Sequence, residues 1–367
     1  MEKSIESIAG SNNGDVLELD RHRELSGGRL IGSVQSSRGA HTAPPVVGLS
    51  DIASIKALFL AWRKFSTGKK QRKDVIAFRA HLRRNIHELS EQLLSGAYQH
   101  GPYQPFTIFD PKQRSIHKAS VRDRLVHQAF VAAVEPHFER RFIYDSYSCR
   151  LNKGSHNGVK RLQSFLQRAS RNNTRTVYTL KCDVKKFFDS VDHTTMLSLI
   201  TRRVNEPSVT ALAQKVLQSF ARAPGKGLPL GNVTSQLFAN VYLHELDFYI
   251  KHHLKERWYV RYCDDFVIVH PSKQHLTALI PVIQDFLSEH LQLQLHPNKI
   301  QIRTYHQGVD FLGYVIKPSA ILLRRRTRDR LLKKVSSKNV HSYLGVCTHA
   351  STYQLTQVLK TKAWLPE

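Results

Sequence analysis

Asp264 and Asp265 stand side by side between two runs suited to extended backbone, Tyr259-Val260-Arg261-Tyr262 before them and Phe266-Val267-Ile268-Val269 after them. β-Branched and aromatic residues favour strands and Asp favours tight turns, so the stretch predicts a hairpin with two carboxylates at its tip. Neighbouring carboxylates repel each other unless a cation shares them. Magnesium takes oxygen ligands, commonly one or two carboxylates together with substrate phosphates. The hairpin tip is therefore a candidate metal site, and a plain surface turn is the alternative.

Phosphate chemistry at such a site needs a third carboxylate, and Asp183 is placed to supply it. It follows the strand-like run Val177 to Cys182 and precedes Val184-Lys185-Lys186-Phe187-Phe188-Asp189. Strand ends in one sheet can bring Asp183 beside Asp264 and Asp265. Three carboxylates can hold two magnesium ions, one activating a hydroxyl and one holding a triphosphate with its leaving pyrophosphate. Asp183 could instead cap a helix, which leaves the rest of the acidic set unexplained.

The elements that must position these residues follow from the apolar pattern. Leu58, Leu60, Trp62 and Phe65, then Phe78, Leu82, Ile86, Leu89 and Leu93, predict two amphipathic helices around the basic loop 68–73. Residues 106–109 predict a strand, 110–114 a turn, and extended structure resumes at Ile116. Helices are expected from about Val121 and over 154–168. A Gly/Pro loop at 225–231 leads into a long helix carrying Phe238, Tyr242, Leu246 and Tyr249 on one face. Beyond the Asp pair come a helix over 276–291, strands around 300–302 and over 311–316, and a basic helical tail from Arg324. Strands interleaved with helices around acidic turns predict an α+β sheet domain with helical additions.

Composition bounds the partners. Lys and Arg number 55 against 29 Asp and Glu in 367 residues, a formal charge of +26, which points to a polyanion. An anionic membrane surface is the competing partner, but no run of eighteen apolar residues is present, so no spanning segment is expected. Residues 1–50, rich in Ser, Gly and Arg, read as a flexible leader. Glu2, Glu6 and Asp15 interrupt the N-terminus, so no signal peptide is expected. Cys149, Cys182, Cys263 and Cys347 are too scattered for a zinc site or a disulfide framework, which fits a reducing cytoplasm.

The order Asp183, Gly231, Tyr262-Cys263-Asp264-Asp265 and Phe311-Leu312-Gly313-Tyr314 resembles the palm of reverse transcriptases, and the likeness covers nearly everything from about residue 55 onward. It implies a right-hand polymerase fold: fingers over 51–176, palm over 177–318 with the catalytic aspartates on an antiparallel sheet, and a helical thumb over 319–367. It also implies RNA-directed DNA synthesis from deoxynucleotides by two magnesium ions, for which manganese can substitute. Asp183, Asp264 and Asp265 take the catalytic and metal-holding roles. Phe188 would exclude a 2′-hydroxyl, or else simply pack in the core. Lys112 and Arg114 would meet the triphosphate from the fingers turn, with a solvated basic turn as the alternative for Lys112. Leu230, Gly231, Gln236 and Tyr262 would line the substrate pocket; Gly231 could equally be a plain turn glycine. Lys299, following Asn298, would assist the leaving phosphate or remain solvated. Gly313 and Tyr314 would form the primer grip. Arg324, Arg325 and Arg326 would line the groove for the RNA/DNA hybrid, or form a solvated helix face.

Within the family, Leu228-Pro229-Leu230-Gly231-Asn232-Val233-Thr234-Ser235-Gln236 sets the subgroup. Most group II intron and retroviral enzymes carry Gln before this Gly and Pro after the Ser. The form found here resembles the reverse transcriptases of diversity-generating retroelements, as do Arg122 to Gln128, Asp145 to Arg150, Lys153-Gly154-Ser155-His156 and Ser342-Tyr343-Leu344-Gly345. That resemblance implies a retroelement RNA template, errors at template adenines and a small accessory protein. A stand-alone antiviral enzyme is the rival, and a non-catalytic RNA-binding scaffold a more distant one. A group II intron enzyme is disfavoured because little chain remains for a maturase or endonuclease domain.

Overall fold

A computed structural model describes residues 47–109 and 113–364. Most of the expected leader, and Lys112 in the fingers turn, lie outside the described residues. The chain forms two compact units, each assembled from separated segments. The first takes in the chain up to Ile143 with Lys186–Leu246 and Glu289–Leu293; the second takes in Tyr144–Lys185, Asp247–Ser288 and the chain from Gln294 onward. The divisions at 50, 176 and 318 expected along the sequence are continuous, whereas these units interleave.

The first unit is mainly helical. Its early helices run Ile55–Ser66, Lys73–Ala80, Leu82–Leu94 and Val121–Glu139. Ser54 and Ser120 start the first and last of these by accepting from Ala57 N and Asp123 N, satisfying N–H groups that a helix start leaves open. Leu58, Trp62, Phe65, Ile86, Leu89, Leu125 and Phe130 are buried. Leu60, expected among them, is 53% exposed: two positions from Leu58 and from Trp62, it lies across the helix from both. The second expected helix is two helices broken at His81, where Asn85 Nδ2 donates to the Phe78 carbonyl at 3.0 Å. Strands β1 (Gln104–Ile108) and β2 (Arg114–Lys118) pair antiparallel, as expected from the extended runs. Helices His193–Val204 and Pro207–Gln218 had not been expected, although Asp192 caps one and Pro207 opens the other. The helix Val233–Phe248 begins in this unit; its end from Asp247, and the π turn Tyr249–His253 that continues it, belong to the second.

The second unit holds a four-stranded antiparallel sheet. Its strands are β3 (Tyr178–Asp183), β4 (Tyr259–Tyr262), β5 (Asp265–His270) and β6 (Gln301–Thr304), in the order β4-β5-β3-β6. A second sheet has β7 (Val309–Phe311), β8 (Tyr314–Ile316) and β9 (Ile321–Leu323) in sequence order. One buried cluster joins Val159, Leu162 and Phe165 of the helix Ser155–Ala169, Val260, Val267 and Val269 of the large sheet, and Val309, Phe311, Tyr314 and Ile316 of the small one. Helices Arg325–Lys334, Val340–Cys347 and Tyr353–Trp364 follow.

Two expected features differ. The strand foreseen over 311–316 is a hairpin: Leu312 (φ 50) and Gly313 (φ 89) form a two-residue turn with both residues in the left-handed region, the geometry matched to the twist of paired strands. Asp265 is not at a hairpin tip but is the first residue of β5, paired with Tyr262, while Cys263 and Asp264 make the turn.

Candidate active site

The β3–β5 register sets Asp183 directly opposite Asp265, and the Asp264 carbonyl accepts from Val184 N at 3.1 Å. Three carboxylates therefore arrive at one end of the sheet from a strand terminus, a turn and a strand start. Cys263, the first turn residue, has φ 53, a region that costs a residue bearing a Cβ roughly 1–2 kcal/mol. The turn is held from behind by Arg261, which is fully buried on the face of β4 opposite Tyr262. Its Nη1 donates to the Cys263 carbonyl at 3.0 Å, while Nε and Nη2 donate to the Asp247 carboxylate at 2.7 and 2.6 Å. Tyr259 donates to the same carboxylate at 2.7 Å, and Arg261 Nη2 also reaches Ser146 Oγ at 3.1 Å. Burial alone would favour neutral Arg261, but Asp247 overrides it and raises its pKa.

Cations meet the carboxylates on the front face. Lys299 Nζ lies 2.7 Å from Asp183 Oδ1, and Lys181 Nζ lies 3.2 Å from Asp265 Oδ2. Burial pushes the Asp265 carboxyl up to about 6, with Lys181 opposing and the charges of Asp264 and Asp183 adding. Asp264 rises for the same first reason, then through Asp183. Among the described residues no group of three His, Cys, Asp or Glu side chains closes into a preformed metal cage. The donor set nevertheless suits magnesium, which keeps waters and substrate phosphates among its ligands and needs only one or two carboxylates. Asp265 Oδ1 is buried and has no hydrogen-bond partner among the described residues, a hard oxygen donor without an acceptor role elsewhere.

The remaining candidates of the second unit are placed as follows. Tyr262 is half-buried against the core cluster. Gly313 lies in the β7–β8 turn, and Tyr314 is buried, its hydroxyl donating to the Val346 carbonyl at 3.0 Å. Arg324 Nη2 contacts Asp310 Oδ1, while its buried Nε has no acceptor among the described residues. Arg325 and Arg326 are exposed, Arg325 lying 3.8 Å from Asp329.

The first unit carries the other candidates. Arg114 is exposed at the start of β2. Phe188 is half-buried, its ring edge-on to buried Phe187 at 5.3 Å, and its carbonyl accepts from Leu228 N at 2.7 Å. The Leu230 carbonyl accepts from His117 N at 3.0 Å, and Asn232 Nδ2 donates to the His117 carbonyl at 2.9 Å, so β2 pins this loop. Gly231 has φ 98, and an added Cβ would stand 2.7 Å from Ile116 Cγ2. The contact that demands glycine here is thus with the protein itself. Gln236 is half-buried in the first helical turn, and Ser235 Oγ donates to the Pro229 carbonyl at 2.6 Å.

Sequence reasoning missed Arg261, Asp247, Lys181 and Asp310. For Lys181 and Arg261 the available signal was a charged residue interrupting an apolar strand, which needs a partner.

An antiparallel sheet delivering three carboxylates to one end, with helices added before and after it, defines a right-hand nucleic-acid polymerase fold. The reverse transcriptase (RNA-dependent DNA polymerase) family model matches residues 109–316, and the chain belongs to that family of RNA-directed DNA polymerases. It is 28% identical over 300 residues to Protein YkfC of Escherichia coli, covering 70% of this chain and 76% of that one. It is 23% identical over 303 residues to the group II intron-encoded protein LtrA of Lactococcus lactis subsp. cremoris, covering 63% of this chain and 49% of LtrA, so it spans about half of that relative. A solved structure of apo telomerase from Candida tropicalis, truncated from the C-terminal domain, overlays with a TM-score of 0.47 at 12% identity, covering 66% of this chain and 60% of that one. Among the described residues no helix is long and apolar enough to cross a membrane.

Proposed function

We propose that this protein extends a primer 3′-end with deoxynucleotides on an RNA template, using Asp183, Asp264 and Asp265 as metal-holding catalytic residues. The observation that carries this reading is the pairing of Asp183 with Asp265 across β3 and β5, with Asp264 in the adjoining turn. Magnesium ions, when bound there, supply the charge that activates the primer hydroxyl and steadies the leaving pyrophosphate. The two raised carboxyl groups support this, because a divalent cation offsets the cost of holding both ionised. By the family resemblance we assign Arg114 and Lys112 to the triphosphate, Phe188 to the exclusion of ribonucleotides, and Leu230, Gly231, Gln236 and Tyr262 to substrate binding. Gly313 and Tyr314 grip the primer through backbone, and Arg324 to Arg326 follow the hybrid. The charge of +26 supports a nucleic-acid partner. Four free thiols support a reducing cytoplasm.

Primer extension on a defined RNA, with Asp264→Ala as the control, tests the assignment. Incorporation that survives the substitution, or none by the unaltered chain, overturns it.

Likeness to a group II intron-encoded protein supports a retroelement RNA as template. We further assign the mutagenic, diversity-generating role, working with a small accessory protein, on the Leu230 to Gln236 pattern. Leu230 cannot supply the hydrogen bonds of a Gln, so base-pair geometry is checked less strictly. Deep sequencing of the cDNA should show errors concentrated at template adenines and reduced by Leu230→Gln. A uniform low error rate refutes the mutagenic role and favours the stand-alone antiviral enzyme.

A further inference from the structure

We propose that Lys181 is a positioning residue that ties the metal-holding carboxylate Asp265 to the β7–β8 hairpin, so that the catalytic carboxylates and the primer grip keep one relative position. The proposal rests on the polymerase reading above. Lys181 precedes Asp183 by two residues on β3, so both side chains leave the same face of the sheet. Its ammonium has three protons to donate and no acceptor capacity. It meets Asp265 Oδ2 at 3.2 Å, donates to the Asp310 carbonyl at 2.9 Å and faces Asp310 Oδ1 at 3.9 Å. Asp310 lies on β7 and takes the Arg324 guanidinium. The Arg324 backbone N–H donates to the Gly313 carbonyl at 2.9 Å. A chain of contacts, linked through the backbone and side chains of Asp310 and Arg324, therefore runs from Asp265 through Lys181 to the hairpin turn.

The split at Asp265 gives the tie a direction. Lys181 occupies Oδ2, while Oδ1 is buried without a partner among the described residues. Lys181 thus fixes which oxygen remains to meet a cation. The pair is mostly shielded, with side-chain exposures of 20% and 22%, so solvent screens it only partly. A displacement of the reacting groups by about 1 Å is enough to slow chemistry by about a hundredfold. A tie between the carboxylates and the primer grip acts on that displacement.

The full chain is assayed by primer extension, with substitutions Lys181→Met, Lys181→Arg, Asp310→Asn and the double Lys181→Met/Asp310→Asn. Lys181→Met should lower kcat and raise the primer–template KM, each about tenfold, with the deoxynucleotide KM nearly unchanged. Lys181→Arg should recover most of both. The double variant should be no worse than Lys181→Met, because both changes cut one path. An unchanged primer–template KM in Lys181→Met, or additive losses in the double variant, overturns the tie. Hydrogen exchange without substrate gives a second measure: Lys181→Met should speed exchange of the Arg324 amide, which donates to the Gly313 carbonyl, and unchanged exchange overturns the tie. If Lys181→Met does not fold, Asp310→Asn is read instead, and an unaltered primer–template KM is the refuting result. An unaltered chain that extends no primer refutes the polymerase reading, while the exchange measurement still judges the tie.

Discussion

Asp265→Asn should make the metal-free protein more stable at neutral pH while removing polymerase activity. Burial raises the Asp265 carboxyl from 3.8 to about 6 against the pull of Lys181. A group whose pKa is higher in the folded state binds its proton more tightly there. Its stabilising contribution is full below the unfolded value and is lost as pH rises through the folded value. At about 1.4 kcal/mol per tenfold in proton affinity, the rise corresponds to about 3 kcal/mol lost above the folded value. Asn imitates the protonated acid at every pH, and Lys181 keeps its bond to the Asp310 carbonyl. The stability difference between variant and unaltered chain should be near zero around pH 4, grow up to about pH 6 and level at about 3 kcal/mol above it. Urea unfolding in chelator across this range measures it. Magnesium should then stabilise the unaltered chain at neutral pH and leave the variant nearly unmoved. No gain at neutral pH, or an equal gain at about pH 4, would refute the view that Asp265 is a carboxylate held ionised at a cost.

Arg261→Met should destabilise the protein by about 3–5 kcal/mol, because buried Asp247 loses its cation and keeps the Tyr259 hydrogen bond; urea unfolding reads this, and a change below about 1 kcal/mol would remove Arg261 from its place behind the turn. Phe188→Ala should raise ribonucleotide over deoxynucleotide incorporation in competition assays, and an unchanged ratio in folded protein would return Phe188 to core packing. Replacing Arg324, Arg325 and Arg326 with Ala should flatten the salt dependence of hybrid binding by about two to three phosphate contacts, and an unchanged slope would make this a solvated helix face.

What the sequence disclosed and what it withheld divide along physical lines. Asp183, Asp264 and Asp265 were legible because each sits at a strand boundary marked by its own neighbours. The hairpin of β4 and β5 and most long helices were legible from local periodicity for the same reason. The break at His81 and the Leu312-Gly313 turn were not, since one depends on a side-chain clamp and the other on a non-glycine residue entering the left-handed region. Pairings across the fold were hidden for a different reason. Lys181 and Asp310 lie 129 residues apart, and only the strand registers bring them together. Arg261 and Asp247 lie 14 residues apart, but one is on a strand and the other near a helix end. Even so, Lys181 and Arg261 were visible as charges set into otherwise apolar strands. A charge in that position must be matched or the strand would not bury. In this fold Arg261, matched by Asp247, braces the Cys263-Asp264 turn, and Lys181 reaches from Asp265 to Asp310 on β7. The residues that look most out of place in an apolar strand are thus the ones in contact with the carboxylate end of the sheet.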